Sequence, residues 1–109
     1  MRETEMGEQT TVVYVDEDLA DLIPEFLENR RRDVEQITQL VQEGKHEELT
    51  RLGHMMKGSG GGYGFTEISE IGQGIEEASV RSDWKAITTL RERLAAYLAA
   101  VTVKVRRQE

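Results

Sequence analysis

Apolar residues recur at intervals of three and four along four separate stretches of this 109-residue chain. This spacing places them on one face of an α-helix, which is the primary signal of an amphipathic helix. Only short segments separate the stretches, at Gly44, at the glycines up to Gly64, and at Ser82–Asp83. Amphipathic helices with short connections pack against each other in antiparallel order. The sequence therefore predicts an all-α fold, an antiparallel up-down four-helix bundle.

The two ends of the chain are less regular than its middle. Residues 1–11 are polar and aperiodic, which predicts a flexible tail, and the bundle domain is expected to span residues 12–109. Val12–Val15 has the composition of a strand, but no second strand is evident to pair with it. We therefore interpret it as a short lead-in segment packed on the first helix. The apolar stripe of the fourth helix reaches Val101 and can be extended to Val105.

Composition excludes several classes of protein. The chain contains no cysteine, so a disulfide, a thiolate metal site and a cysteine nucleophile are all impossible. Its apolar runs are too short to span a membrane, and its amino terminus lacks the core of a signal peptide, so we expect a cytoplasmic protein without membrane insertion. The net charge of −7 argues against binding to nucleic acid, because phosphates require a basic surface.

The segment from Arg51 to Phe65 combines a histidine, a lysine and a glycine cluster. His54 is one of two histidines, Lys57 follows one helical turn later, and five glycines occur in the seven residues from 58 to 64. Glycine inside a helix costs about 1 kcal/mol relative to alanine, so such a cluster indicates a close approach to the backbone. At about 100° per residue, the face around His54 is shared by Arg51, Lys57, Gly58 and Gly61. The apolar residues of this stretch lie on the opposite face, so His54 is predicted to point outward.

These residue types suit phosphoryl transfer. The neutral imidazole of a histidine is a nucleophile at physiological pH, and its attack on phosphorus forms a phosphohistidine. Lys57 can neutralise the oxygens of the phosphoryl group as a compact point charge. Gly58 and Gly61 leave space for an incoming phosphodonor. The segment therefore predicts that His54 is an accessible phosphoacceptor.

The sequence His54-x-x-Lys57-Gly58-Ser59, followed by Gly64, resembles the signature of histidine-containing phosphotransfer (HPt) domains. The resemblance extends over residues 16–103. It implies a four-helix bundle in which His54 accepts a phosphoryl group and exchanges it with the aspartate of a response-regulator receiver domain.

The resemblance also implies a role for individual residues. Lys57 would neutralise the phosphoryl group, Gly58 would give access to the histidine, and Gly64 would end the helix. Glu76 occupies the position where the family usually has an acidic residue. Supporting roles are expected for Arg51, Ser59, Gly61 and Gly64.

The resemblance further implies a phosphocarrier module rather than an enzyme. Its partners would be a receiver domain, a hybrid sensor histidine kinase, or both, and catalysis would depend on them. No cofactor or metal of its own is expected, since the receiver domain would supply Mg²⁺. Docking on a single face requires only a monomer.

Other interpretations of these residues fit less well. The glycine cluster lacks the phosphate-loop pattern and a preceding strand, so a nucleotide pocket is not predicted. His46 and His54 lie about 80° apart around the helix and roughly 12 Å apart along it, too far to share a metal ion. His46 is interpreted as a surface residue at a helix start. A helical interaction bundle without phosphotransfer is the alternative function, but it leaves the outward placement of His54 beside Lys57 unexplained.

Two interpretations concern residues next to the histidine. Met55 and Met56 are interpreted as side chains that fill space in the hydrophobic core. Ser59 suits a structural bond to a helix carbonyl as well as a direct contact with phosphate.

Overall fold

The computed structural model describes residues 11–107, which form four α-helices, one short 3-10 helix and two strands. Their order is β1 (Thr11–Asp16), the 3-10 helix (Glu17–Leu22), α1 (Ile23–Gln42), α2 (His46–Gly62), α3 (Thr66–Val80), α4 (Trp84–Ala100) and β2 (Val101–Arg106). Helix α2 packs on α3, α3 on α4, and α1 on both α2 and α4. The predicted four-helix bundle is confirmed. Within the described residues, no helix is both long enough and apolar enough to cross a membrane.

Each helix buries one apolar stripe in a shared core. The apolar side chains with no exposed surface are Ile37, Leu49, Phe65, Ile68, Ile71, Ile75, Ile87 and Leu94. Full burial of such a side chain stabilises the fold by about 1.5–3 kcal/mol. Of the adjacent methionines, Met56 is buried at 1% exposure, whereas Met55 is 71% exposed. The interpretation of Met55 as a core side chain is therefore wrong, because the 100° rotation between consecutive helix residues places it outside the buried stripe.

The helix ends follow the local chemistry of the sequence. Pro24 lies in the first turn of α1, where its missing amide hydrogen is not needed. Gly44 and Gly64 have φ values of +69° and +87° and follow the ends of α1 and α2. Such left-handed positions favour glycine. The carboxylate of Asp83 accepts a hydrogen bond from the backbone N–H of Ala86 at 3.2 Å and caps α4.

The two strands form a parallel pair, with Thr11 opposite Val101 and Asp16 opposite Arg106. The prediction that the first of these segments has no strand to pair with is thus wrong. So is the extension of the fourth helix to Val105, since α4 ends at Ala100 and the chain becomes extended at Val101. β-Branched residues at positions 101, 103 and 105 favour a strand. Thr11 belongs to β1, while residues 1–10 of the predicted tail lie outside the described residues.

Helices α2 and α3 approach each other backbone to backbone. A Cβ atom added to Gly72 would lie 2.5 Å from the amide nitrogen of Lys57 and 2.7 Å from the carbonyl oxygen of Gly53. A Cβ atom added to Gly53 would lie 2.6 Å from the amide nitrogen of Glu76. At Gly60 the corresponding distance to the α3 backbone is 2.8 Å. These separations are shorter than a carbon contact allows, so this crossing requires glycine.

We predict that Gly72→Ala lowers the free energy of unfolding by about 1–3 kcal/mol, because the added methyl group forces two backbones apart. Gly62→Ala is the matched control in the partner helix, since a Cβ atom there would meet no described atom within 4 Å outside its chain neighbours and the backbone of its own helix. It should leave stability unchanged or raise it by up to about 1 kcal/mol. Urea unfolding measures both. Equal midpoints for Gly72→Ala and the parent would contradict the tight crossing.

Candidate functional site

His54 lies in the middle of α2 with its side chain 71% exposed. The buried residues of the same helix, among them Leu49 and Met56, face the core. The imidazole therefore lies on the outer face of the bundle, where another molecule can reach it.

A carboxylate on the neighbouring helix contacts the imidazole. Nδ1 of His54 lies 3.2 Å from Oε2 of Glu76, whose side chain is 28% exposed. An ionised carboxylate can only accept a hydrogen bond, so a neutral imidazole in this contact carries its proton on Nδ1. The lone pair of the neutral ring is then on Nε2, which leaves Nε2 as the nucleophilic atom.

The close approach of α2 and α3 at their glycines explains why Glu76 reaches the histidine. Gly53 immediately precedes His54, and the backbone of Glu76 passes directly over Gly53. Any side chain at position 53 would push α3 outward and move the carboxylate away. Sequence reasoning placed Glu76 only through the family resemblance, and its contact with His54 depends on a tertiary crossing that no local pattern reveals.

Lys57 is exposed one turn after His54 and forms no salt bridge within residues 11–107. It borders a shallow depression whose other lining residues are Gln73, Glu76, Glu77, Val80 and Arg81. An ammonium group without a protein partner is available to an anion bound beside the histidine. Within the same residues, no group of three histidine, aspartate or glutamate side chains is arranged to hold a metal ion.

Gly58 and Gly61 leave the surface beside His54 free of projecting side chains at these two positions. Apart from the backbone of its own helix and its chain neighbours, a Cβ atom at Gly58 would meet no described atom within 4 Å, and one at Gly61 would meet only Oγ of Ser69, at 3.7 Å. Both glycines are exposed. The structure thus brings His54, Lys57, Gly58 and Gly61 to one open face of α2.

The remaining candidates have different positions. Arg51 is exposed one turn before His54. Ser59 is half-buried; its Oγ accepts a hydrogen bond from Nη1 of Arg30 at 3.1 Å and donates one to the backbone carbonyl of Met56 at 3.5 Å, the structural bond to a helix carbonyl. Gly64 lies beyond the last residue of α2 and ends the helix, away from the imidazole.

The role of Arg30 is not evident from the sequence, because a run of three arginines at positions 30–32 is typical of a solvated helix face. Its guanidinium pairs with Asp33 at 2.7 Å and lies 5.0 Å from the ring centre of Phe26. Burial raises the pKa of the Asp33 carboxyl, and the nearby Arg30 only partly offsets this effect. With its bond to Ser59, Arg30 ties α1 to the helix that carries His54.

His46, in contrast, is the exposed first residue of α2, as expected for a surface residue at a helix start. It lines a surface depression with Glu47, Thr50, Arg51 and Val80. No carboxylate contact comparable to that of His54 is present at His46 within the described chain.

Comparison with known proteins identifies the family to which the bundle belongs. The family model of the Hpt domain matches residues 21–100, which include all four α-helices and exclude both strands. No curated protein and no solved structure matched the chain. The matched region covers well over half of the sequence, and the chain therefore belongs to the Hpt domain family.

Proposed function

We propose that this protein is a phosphorelay intermediate that accepts a phosphoryl group on His54 and exchanges it with the aspartate of a response-regulator receiver domain. The observation that carries the proposal is the exposed imidazole of His54, held by Glu76 through Nδ1. Membership of the Hpt family, whose domains serve histidine phosphotransfer in phosphorelays, supports the same chemistry.

The proposed transfer is an in-line displacement at phosphorus. Nε2 of His54 attacks the aspartyl phosphate, the N–P bond forms, and the P–O bond to the aspartate breaks with its electrons leaving on the carboxylate. Positive charge develops on the imidazole during the attack. The carboxylate of Glu76, 3.2 Å from Nδ1, stabilises this charge and keeps the ring oriented. The reverse sequence returns the phosphoryl group to an aspartate.

Lys57 and Gly58 would act on the phosphodonor rather than on the histidine. The ammonium group of Lys57 is exposed, so it can approach the oxygens of the phosphoryl group as charge builds up. At Gly58 the absence of a side chain lets the receiver surface come within bonding distance of Nε2. We assign Arg51 and Gly61 supporting roles at the edge of the same face.

In this proposal the chain is a carrier and not an enzyme. A kinase or receiver partner supplies the rest of the catalytic groups, and the receiver brings Mg²⁺. One copy of the chain suffices, because the proposed site lies on one helix face. The alternative, an interaction bundle without phosphotransfer, would use the same face but gives no role to the contact between His54 and Glu76.

We predict that His54 alone carries the phosphoryl group. Incubation with a phosphorylated receiver domain should add one phosphate, labile in acid and stable in base as a phosphoramidate is, and intact mass should detect it. The phosphate should be absent in His54→Gln and present in His46→Gln, the matched control. Full phosphorylation of His54→Gln, or mapping of the phosphate to His46 or a serine, would contradict the proposal.

Lys57→Ala should slow transfer without affecting the fold. Truncation of an exposed side chain usually changes stability by less than about 0.5 kcal/mol, whereas loss of a charge-stabilising contact can cost a factor of about 10²–10³ in rate. Lys104→Ala, an exposed lysine on β2, is the control and should transfer normally. Urea unfolding and single-turnover transfer rates measure the two effects. Normal transfer by Lys57→Ala would remove the role assigned to the lysine.

Substitutions at Gly58 should separate stability from activity. Gly58→Ala should be neutral or stabilising by up to about 1 kcal/mol, with a modest loss of transfer. Gly58→Leu should keep the fold, because the added side chain points into open space, but lose most of the transfer by obstructing docking. Unfolding midpoints and transfer rates of both variants provide the test. A joint collapse of fold and activity in both would show that Gly58 is a packing residue.

A further inference from the structure

The two most exposed large hydrophobic side chains in the described part of the chain are Met55 and Val80, at 71% and 67%. Both lie close to the proposed site. Met55 directly follows His54, and Val80 lines the depression that also contains Lys57 and Glu76. The two side chains lie on different helices and border different depressions, and only Met55 is adjacent to His54 along α2.

Met55 also borders a groove between α1 and α2. Leu52, half-buried, and Arg51 line the same groove. A receiver domain that reaches Nε2 of His54 must cover the residues next to it on the helix, and Met55 is the apolar one among them. Its thioether would therefore lie in the proposed interface, while in the free protein it is open to solvent.

We propose that Met55 is a site of oxidation and that its conversion to methionine sulfoxide weakens phosphotransfer. The inference rests on the proposed function of His54. The reactive species is a peroxide, a two-electron oxidant. The thioether sulfur attacks one peroxide oxygen, an S–O bond forms and the O–O bond breaks. With hydrogen peroxide the displaced hydroxide takes the proton from the new sulfur-bound hydroxyl and leaves as water, so sulfur is oxidised to the sulfoxide and the peroxide is reduced.

The chemical consequence is a change of polarity without a change of charge. A thioether is apolar and flexible, whereas a sulfoxide is polar and accepts hydrogen bonds from water. Burying the sulfoxide under a receiver would require removing that water. Methionine sulfoxide can be reduced back to methionine by enzymes, so the modification is reversible. The phosphoacceptor itself is not altered.

The adjacent Met56 provides an internal comparison. It is 1% exposed, whereas Met55 is 71% exposed, although both occupy consecutive positions on one helix. Brief exposure to dilute hydrogen peroxide should therefore oxidise Met55 well before Met56. Because Met55 is outside the core, its oxidation should leave the urea unfolding midpoint unchanged.

The test compares the parent with Met55→Leu, which keeps an apolar side chain but cannot form a sulfoxide. Each protein is treated with hydrogen peroxide, catalase removes the oxidant, and a phosphorylated receiver domain that has not met peroxide is then added. Peptide mapping by mass spectrometry locates the added oxygen. Peroxide treatment should lower the transfer rate of the parent about tenfold, the scale of losing one good interface contact. The transfer rate of Met55→Leu should be the same with and without peroxide treatment.

Met56→Leu is the matched control, a volume-conserving core substitution that should remain as sensitive to peroxide as the parent. Equal loss of transfer in Met55→Leu and the parent would overturn the inference, as would unchanged transfer by protein shown to carry oxygen on Met55. If untreated parent accepts a phosphoryl group on His54 and oxidation changes nothing, only this inference fails. If untreated parent accepts none, the proposed function fails and the inference with it.

Discussion

The direct contact between the backbones of α2 and α3 is the constraint on which the site depends. Gly53 and Gly72 provide it, since neither position has room for even a methyl group. The contact sets the separation of the two helices and therefore how closely their core side chains pack. It also brings Glu76 within 3.2 Å of Nδ1 of His54. Packing and chemistry thus share one cause, and the carboxylate is held by rigid helices rather than by a loop.

Four of the five glycines of α2 divide between two faces of the helix. Gly53 and Gly60 are buried and allow α3 to approach, while Gly58 and Gly61 are exposed and leave the surface beside His54 unobstructed. Their intrinsic cost to the helix is about 1 kcal/mol each. Close packing on α3 offsets this cost at the buried positions. At the exposed positions no packing on another helix offsets this cost. We therefore explain these two glycines by the access that they give to His54.

Helical periodicity was sufficient to predict the bundle and the outward face of α2, because both depend on the 100° turn of a helix and on little else. The end of α4 was ambiguous for a physical reason. Val101 and Val105 are four residues apart, which suits a helix, yet together with Val103 they also alternate as a strand does. Only the pairing with β1, from the other end of the chain, decides between the two. Contact between His54 and Glu76 likewise depends on a helix crossing, which a local pattern does not encode.

The parallel pairing of β1 and β2 determines how the domain responds to mechanical tension. The chain enters the ladder at Thr11 and leaves it at Arg106, at opposite ends of the paired strands. A force that pulls these two points apart acts along the strands, so it loads the hydrogen bonds of the ladder together, in shear, instead of opening them one by one. The four helices lie between the strands in sequence and carry none of this load while the ladder holds. A tether attached at these points would therefore transmit its tension through the sheet and leave the helix that bears His54 undistorted.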